Sequence, residues 1–214
     1  MDEPGLRERK KKRTRDLITQ TARRLFADRG FHGVTVAEIA AEAEVAEGTV
    51  FNYFGSKEDL FFAGMEAFEN ALIAAVRDRP VGQSVVDAFR EPILSGAQHL
   101  ASPGRTENAA LGARLIAESP ALQRKELEAI DGYKSALAQL LTEETSVDTS
   151  DIRPAVVANA LMGVHRALVQ LVRSLVIDGM SGSEMAARVA QEAEHGFSAL
   201  SQGLGDYGKA GSAT

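Results

Sequence analysis

Apolar side chains in this chain recur three and four residues apart through long stretches, and no stretch alternates apolar with polar for the length of a strand. That periodicity constrains the fold most. Each stretch has one apolar stripe to bury, and stripes of this spacing bury best against other helices. Turn chemistry punctuates them at Gly30, Gly55, Asp78-Arg79-Pro80, Ala101 to Gly104, Ser119-Pro120, Thr145 to Pro154 and Asp178 to Ser183. The expected fold is all-α, with about nine helices.

The 214 residues suffice for one large or two modest domains, and 44% hydrophobic with 25% charged residues is an ordinary globular balance. With no cysteine, disulfide and thiolate chemistry are excluded. The charged N-terminus lacks a signal-peptide core, and no uninterrupted apolar run has the roughly 18–20 residues of a membrane span. A cytoplasmic protein with no membrane partner is expected.

The formal net charge is −6, but it is unevenly spread. Residues 7–29 hold ten basic and three acidic side chains, whereas the chain beyond residue 60 is net acidic. A basic N-terminal module on an acidic body suits a polyanion at one end only. A solvated helix face is the plainer reading of the same charges.

Residues 1–12 read as a flexible basic arm. A helix follows, with Leu17, Ile18, Ala22, Leu25 and Phe26 on its buried side and Gly30 as its stop. Thr35 and Glu38 have the spacing of a capping box opening a short helix with Ile39, Ala40 and Ala43 inward. The chain turns at Glu44-Val45, and a second short helix runs from Ala46 to Phe54. Ser56 to Asp59 then cap a longer helix with Leu60, Phe61, Met65, Phe68 and Leu72 on its stripe. Two short helices at a tight turn fit a helix-turn-helix, although a small helical bundle would share the pattern.

Val34 to Ala40 and Val45 to Leu60, with Gly48-Thr49, Tyr53-Phe54 and Ser56-Lys57-Glu58-Asp59-Leu60 at this spacing, resemble the N-terminal domain of TetR-family regulators. The likeness runs from the basic helix through Leu60. It implies a DNA-binding helix-turn-helix domain at 1–55, a connecting helix at 56–80, a ligand-binding and dimerisation domain at 81–203 and a flexible tail at 204–214. It also implies a regulator, usually a repressor, that binds a palindromic double-stranded operator as a homodimer and responds to a small-molecule effector.

The chemistry of the matched positions supports this. Thr49, Tyr53 and Lys57 carry donors suited to phosphate oxygens, and Thr35 stands at a helix N-terminus. By resemblance these four contact the DNA backbone. Gly48 lacks a side chain where a duplex would approach. Base reading falls to Ala46, Glu47 and Asn52, helped by Val36 and Ala37: Asn can pair with adenine, Glu can accept from cytosine, and small apolar groups can touch a thymine methyl. Val50 and Phe54 are core positions. Three residues depart from the family pattern: Glu44 replaces a turn glycine, Ala46 a capping serine and Phe51 a tyrosine.

In the second half, the segment from Pro154 to Ile177 is apolar on more than one face, so it needs cover on more than one side. A seam with a second copy is one answer, with Leu161, Leu168, Val172, Leu175, Val189 and Phe197 as candidates. Simple core packing is the other. Polar or aromatic residues set into apolar helices are candidates for an effector pocket: Phe89, His99, Arg114, Tyr133, Asn159, Met162 and His165.

No constellation indicates an enzyme. Gly203 to Gly208 matches a dinucleotide fingerprint as a string but lacks the strand before it and the helix after it. The four histidines show no metal-ligand spacing, and no cofactor or metal is implied. The competing class is a helical ligand-binding or scaffold protein whose basic end meets acidic surfaces without sequence preference.

Overall fold

A computed structural model describes residues 5–204 apart from 103, 146, 147 and 149. The described residues form nine α-helices and no strand. In order they are α1 (Leu6–Arg29), α2 (Val36–Glu42), α3 (Glu47–Tyr53), α4 (Lys57–Arg77), α5 (Val85–His99), α6 (Arg105–Ala117), α7 (Pro120–Thr145), α8 (Arg153–Ile177) and α9 (Gly182–Leu204). The chain divides into two compact units: residues up to Ala67 with Leu115–Glu126, and Phe68–Arg114 with Leu127 onward. The boundary therefore falls inside α4, and the α6–α7 corner belongs with the first unit, which sequence periodicity does not reveal.

Helix α1 starts at Leu6, where a flexible arm over 1–12 was expected. Lys, Arg and Leu are good helix formers, and no Gly or Pro interrupts the run. Ile18, Thr21, Ala22, Leu25 and Phe26 are its buried residues, while Leu17 is 46% exposed. Gly30 ends it at φ 75°, its N–H donating to the Phe26 carbonyl. Of the tail expected at 204–214, Leu204 is the last residue of α9 and the rest lies outside the described residues.

The α2–α3 turn shows how the sequence departs from its pattern. The Val45 N–H donates to Ala40 O at 2.9 Å and the Glu44 N–H to Ala41 O at 3.2 Å, a Schellman closure. The left-handed position of that closure is Glu44, at φ 53°, and it is the only non-glycine with positive φ among the described residues. An L-residue is strained there by about 1–2 kcal/mol. Glu44→Gly is therefore expected to raise the stability of this unit by about 0.5–1 kcal/mol, after the entropy cost of glycine. Thermal melting checks it; an unchanged or lower midpoint would show that the turn is unstrained.

In the second unit, α5 packs closely against α9, and α8 against α9. Phe89 and Phe197 meet across α5 and α9 with ring centroids 6.3 Å apart. Gly196 lets α8 approach, since a Cβ there would lie 3.1 Å from Val164 Cγ1. Leu72 and Val76 of α4, and Leu137 and Leu141 of α7, complete the core. On α4, Met65 is 38% exposed, so the expected stripe through it is displaced toward Phe62, Ala63, Leu72, Ile73 and Val76.

By length and composition alone α8 is apolar enough to cross a membrane, although Asn159, His165 and the arginines leave it without an uninterrupted apolar run, as expected. Its Val157, Ala158, Leu161, Met162, His165 and Leu168 are buried in the protein, which accounts for the apolar character on that side.

Candidate nucleic-acid interface

Helix α3 is anchored by Val50 and Phe54, 1% and 4% exposed, and opens its other side to solvent. Residues three and four apart share a helix face, so anchoring by 50 and 54 turns 48 and 52 outward, leaves 51 on the flank, and leaves 47 open because it stands at the exposed first turn. Ala46, Glu47, Gly48, Phe51 and Asn52 are all exposed, while Thr49 and Tyr53 are half-buried at the edges of that face. Ala46 is the N-cap and gives no side-chain cap, so the first turn of α3 keeps unsatisfied N–H groups. A Cβ built on Gly48 meets nothing within 4 Å. The helix is thus held from behind and bare in front.

Phe51 was singled out only for the hydroxyl it lacks. At 48% exposure it is a large apolar side chain on the flank of the outward face, suited to a thymine methyl or a sugar edge. The signal was available in its placement one residue before Asn52 and three after Gly48.

Helix α2 presents Ala37 to solvent and leaves Val36 half-buried. The capping box is present: the Glu38 N–H donates to Thr35 Oγ1 at 3.2 Å, and the Thr35 N–H donates to Glu38 Oε2 at 2.8 Å. The Thr35 hydroxyl also donates to that carboxylate. The Thr35 backbone hydrogen bond, then its hydroxyl, then Arg29 hold the Glu38 carboxyl below its ordinary value. A carboxylate of the chain itself therefore takes the Thr35 N–H and hydroxyl proton, two donors that a phosphate was expected to use.

Lys57 is similarly engaged. Its ammonium donates to Phe31 O at 3.0 Å and Val34 O at 2.9 Å, and lies 4.3 Å from the Phe31 ring centroid. It ties the head of α4 to the α1–α2 connection. The Thr35 N–H and hydroxyl proton are both committed to Glu38, whereas Lys57 keeps one N–H of its three beyond those given to the two carbonyls.

Beside Lys57, the Ser56 hydroxyl accepts from the Asp59 N–H at 3.0 Å, and Asp59 pairs with Lys125 from the α6–α7 corner. Burial pushes the Asp59 carboxyl up, but hydrogen bonds from Lys125 and Ser56 outweigh it and leave the carboxyl below its ordinary value. Arg24–Glu42 and Arg29–Glu38 link α1 to α2 across half-exposed surface. Arg15 pairs with Glu66 at 2.8 Å and caps the Phe54 ring. Arg7, Lys10, Lys11, Lys12 and Arg13 are all exposed on the first turns of α1.

The residues singled out for an effector do not come together as a set. His99, Arg114 and Asn159 are exposed, and two of them bond within their own helices: the His99 ring to Ser95 O and the Asn159 amide to Ala155 O. These three are corrected from pocket candidates to surface residues, because helical phase turns them away from the core. Phe89, Met162 and His165 are buried, and Tyr133 packs half-buried against the same core. His165 faces Glu69 of α4, a half-buried acid that sequence reading passed over. Its position three and four residues before Leu72 and Ile73 placed it on the buried stripe.

The seam candidates divide likewise. Leu161, Leu168, Val189 and Phe197 lie inside the core of a single protomer, at most 7% exposed, and so are corrected to core residues. Val172 and Leu175 are only half-buried, as are Leu171 and Val176, and Val156 and Ile177 are 51% and 80% exposed. Among the described residues, no cluster of His, Asp and Glu could hold a metal.

Residues 18–63 match the family model described as "Bacterial regulatory proteins, tetR family", and residues 83–174 match the "MftR C-terminal domain". The chain is 32% identical over 180 residues to the HTH-type transcriptional regulator TcmR of Streptomyces glaucescens, covering 77% of this chain and 75% of that protein. It is 26% identical over 156 residues to the putative mycofactocin biosynthesis transcriptional regulator MftR of Mycobacterium tuberculosis, covering 73% and 78%. Among solved structures, Salmonella enterica GusR superposes with a TM-score of 0.55 at 20% identity, covering 90% of this chain and 95% of that one. A SmeT–triclosan complex superposes with a TM-score of 0.56 at 15% identity, covering 88% and 90%.

Proposed function

The chain belongs to the TetR family of transcription regulators, and from that membership we infer that it is a repressor whose dimer reads a palindromic operator through α3 and is released by a small molecule. The observation that carries this reading is the outward face of α3, where Ala46, Glu47, Gly48 and Asn52 stand exposed on a helix fixed by Val50 and Phe54. In a helix-turn-helix such a face enters the major groove, its first residues on base edges. Asn52 and Glu47 read bases; Ala46, Phe51, Val36 and Ala37 supply apolar contacts. Thr49 and Tyr53 hold phosphates, joined by the third N–H of Lys57, and by Thr35 only if its bonds to Glu38 yield. The exposed basic turns of α1 add sequence-independent attraction.

The half-covered side of α8, centred on Val172 and Leu175, is the seam with a second copy. Two recognition helices must then lie about 34–36 Å apart, or a multiple of that, to meet successive major grooves on one side of a duplex. An effector that binds better to a differently spaced dimer lowers operator affinity by its differential affinity, and DNA weakens effector binding by the same factor. The effector site lies among the helices of the second unit, around Met162, His165 and Tyr133. The triclosan complex of a fold relative supports a small-molecule site in such a fold. A regulator of this kind works where the chromosome is, in the cytoplasm.

Selection of bound fragments from random duplex DNA tests the reading. The expected result is an enriched inverted repeat. Asn52→Ala should relax preference at particular positions of each half-site, with each lost base contact worth about 1–3 kcal/mol. Recovery of fragments without symmetry or preference would instead leave a helical scaffold with nonspecific affinity for polyanions.

A further inference from the structure

Glu69 is a half-buried carboxylate, its side chain 18% exposed, with one face toward apolar residues. On α4 its neighbours one turn on are Leu72 and Ile73, and one turn back the more exposed Met65 and Glu66; the facing residue is His165 of α8, which is 7% exposed and lies one turn from Leu161, Met162 and Leu168. Among the described residues its only ion-pair partner is the His165 ring, with Oε1 3.8 Å from Nε2, beyond hydrogen-bond reach. The second oxygen, Oε2, is buried and has no hydrogen-bond partner. Phe68, the preceding residue, packs its ring 5.8 Å from that of His165 and fills the space over Gly96 of α5, closing the site on that side.

A buried acceptor without a donor costs stability, and a carboxylate costs more than a neutral group. An apolar side chain of similar size would pack there at no such cost. Resting on the reading above, we propose that Glu69 Oε2 is the polar anchor of the effector site. Its ligand is an apolar molecule that ends in an O–H or N–H donor. The donor completes Oε2, the apolar body lies along Met162 and Leu161, and Phe68 and His165 supply ring faces. Glu69 and His165 hold the orientation, while the surrounding aliphatic groups supply most of the contact area.

The test uses full-length protein and three probes of one shape: para-phenylphenol, para-phenylbenzylamine and para-methoxybiphenyl. Calorimetric titration is expected to rank the phenol or the amine at least about tenfold tighter than the methoxy compound, the worth of one charge-assisted hydrogen bond. Whichever of the two binds more tightly identifies the donor as hydroxyl or ammonium. Glu69→Leu should abolish the ranking. Glu69→Gln, which keeps an acceptor and loses the charge, should weaken the amine more than the phenol. Without ligand, Glu69→Leu should melt at a higher temperature than the parent.

Equal binding of the methoxy probe, no binding of any probe, or a ranking that persists in Glu69→Leu overturns the proposal. So does a lower melting temperature for that variant, which would make Glu69 a structural partner of His165. DNA selection by Glu69→Leu separates the two readings: an enriched palindrome there leaves the regulator standing whatever the probes do.

Discussion

Gly48→Leu is expected to reduce operator affinity by about a hundredfold or more, roughly 2.7 kcal/mol, while leaving the protein as stable as before or slightly more so. The two effects have different physical sources. Glycine is a poor helix former, so a leucine inside α3 gains up to about 1 kcal/mol of helix propensity. A Cβ at position 48 meets no atom within 4 Å, and the residue does not have positive φ, so the fold itself offers no objection. The side chain projects from the face opposite Val50 and Phe54, into the space a duplex would occupy in the proposed complex. Fluorescence anisotropy with the selected operator, paired with thermal melting, reads both quantities. Undiminished affinity would mean that α3 does not lie in the groove. A large fall in melting temperature would mean that the face is not open.

Lys57→Ala is expected to destabilise the first unit by about 2–3 kcal/mol, with DNA affinity falling mainly because less protein is folded. The ammonium supplies Phe31 O and Val34 O with donors and lies against the Phe31 ring. Hydrogen bonds from a charged donor are worth about 1.5–3 kcal/mol each, and partial solvent exposure here reduces that figure. Two carbonyls of the α1–α2 connection lose their partner in the variant. Because that connection sets the entry to α2, its loosening reaches the recognition helix through the α2–α3 turn. Denaturant unfolding measures the loss. A variant of unchanged stability, whose binding loses about one unit of salt slope, would show instead that the ammonium holds a phosphate.

Lys57 and Gly48 also show how differently two residues of one motif are read. Both belong to the stretch that resembles the family, and both were assigned to DNA on that ground. The openness around Gly48 leaves room for that assignment. The Lys57 ammonium is turned toward the chain's own backbone, and no pattern of residue types could disclose that, because the two carbonyls belong to residues 31 and 34 and are brought near only by folding. Thr35 stands between these cases. Its capping box was legible from the spacing to Glu38, but the same geometry gives the Glu38 carboxylate two donors that a phosphate was expected to use.

The effector residues were read least well. His99, Arg114 and Asn159 lie in helices whose composition does not settle their phase, so a polar residue set among apolar ones could face either way. Glu69 had the opposite history. Its place on the stripe with Leu72 and Ile73 was readable, but an acid there invites the assumption of an exposed position. The enclosure of its Oε2 without a donor makes it conspicuous only in three dimensions.

Local interactions were decided by the chain alone: the helix-forming periodicity, the stop at Gly30, the cap at Thr35, the strained turn at Glu44 and the start of α7 at Ser119-Pro120. Each depends on residues within about one helical turn of one another, so their identities carry the information. Folding alone decided which face of each helix is covered, that the α6–α7 corner joins the first unit, that Leu161 and Phe197 serve the core and not the seam, and that one oxygen of the half-buried Glu69 lies enclosed without a donor. Those outcomes depend on groups far apart in sequence, and their distances are set by how whole helices pack.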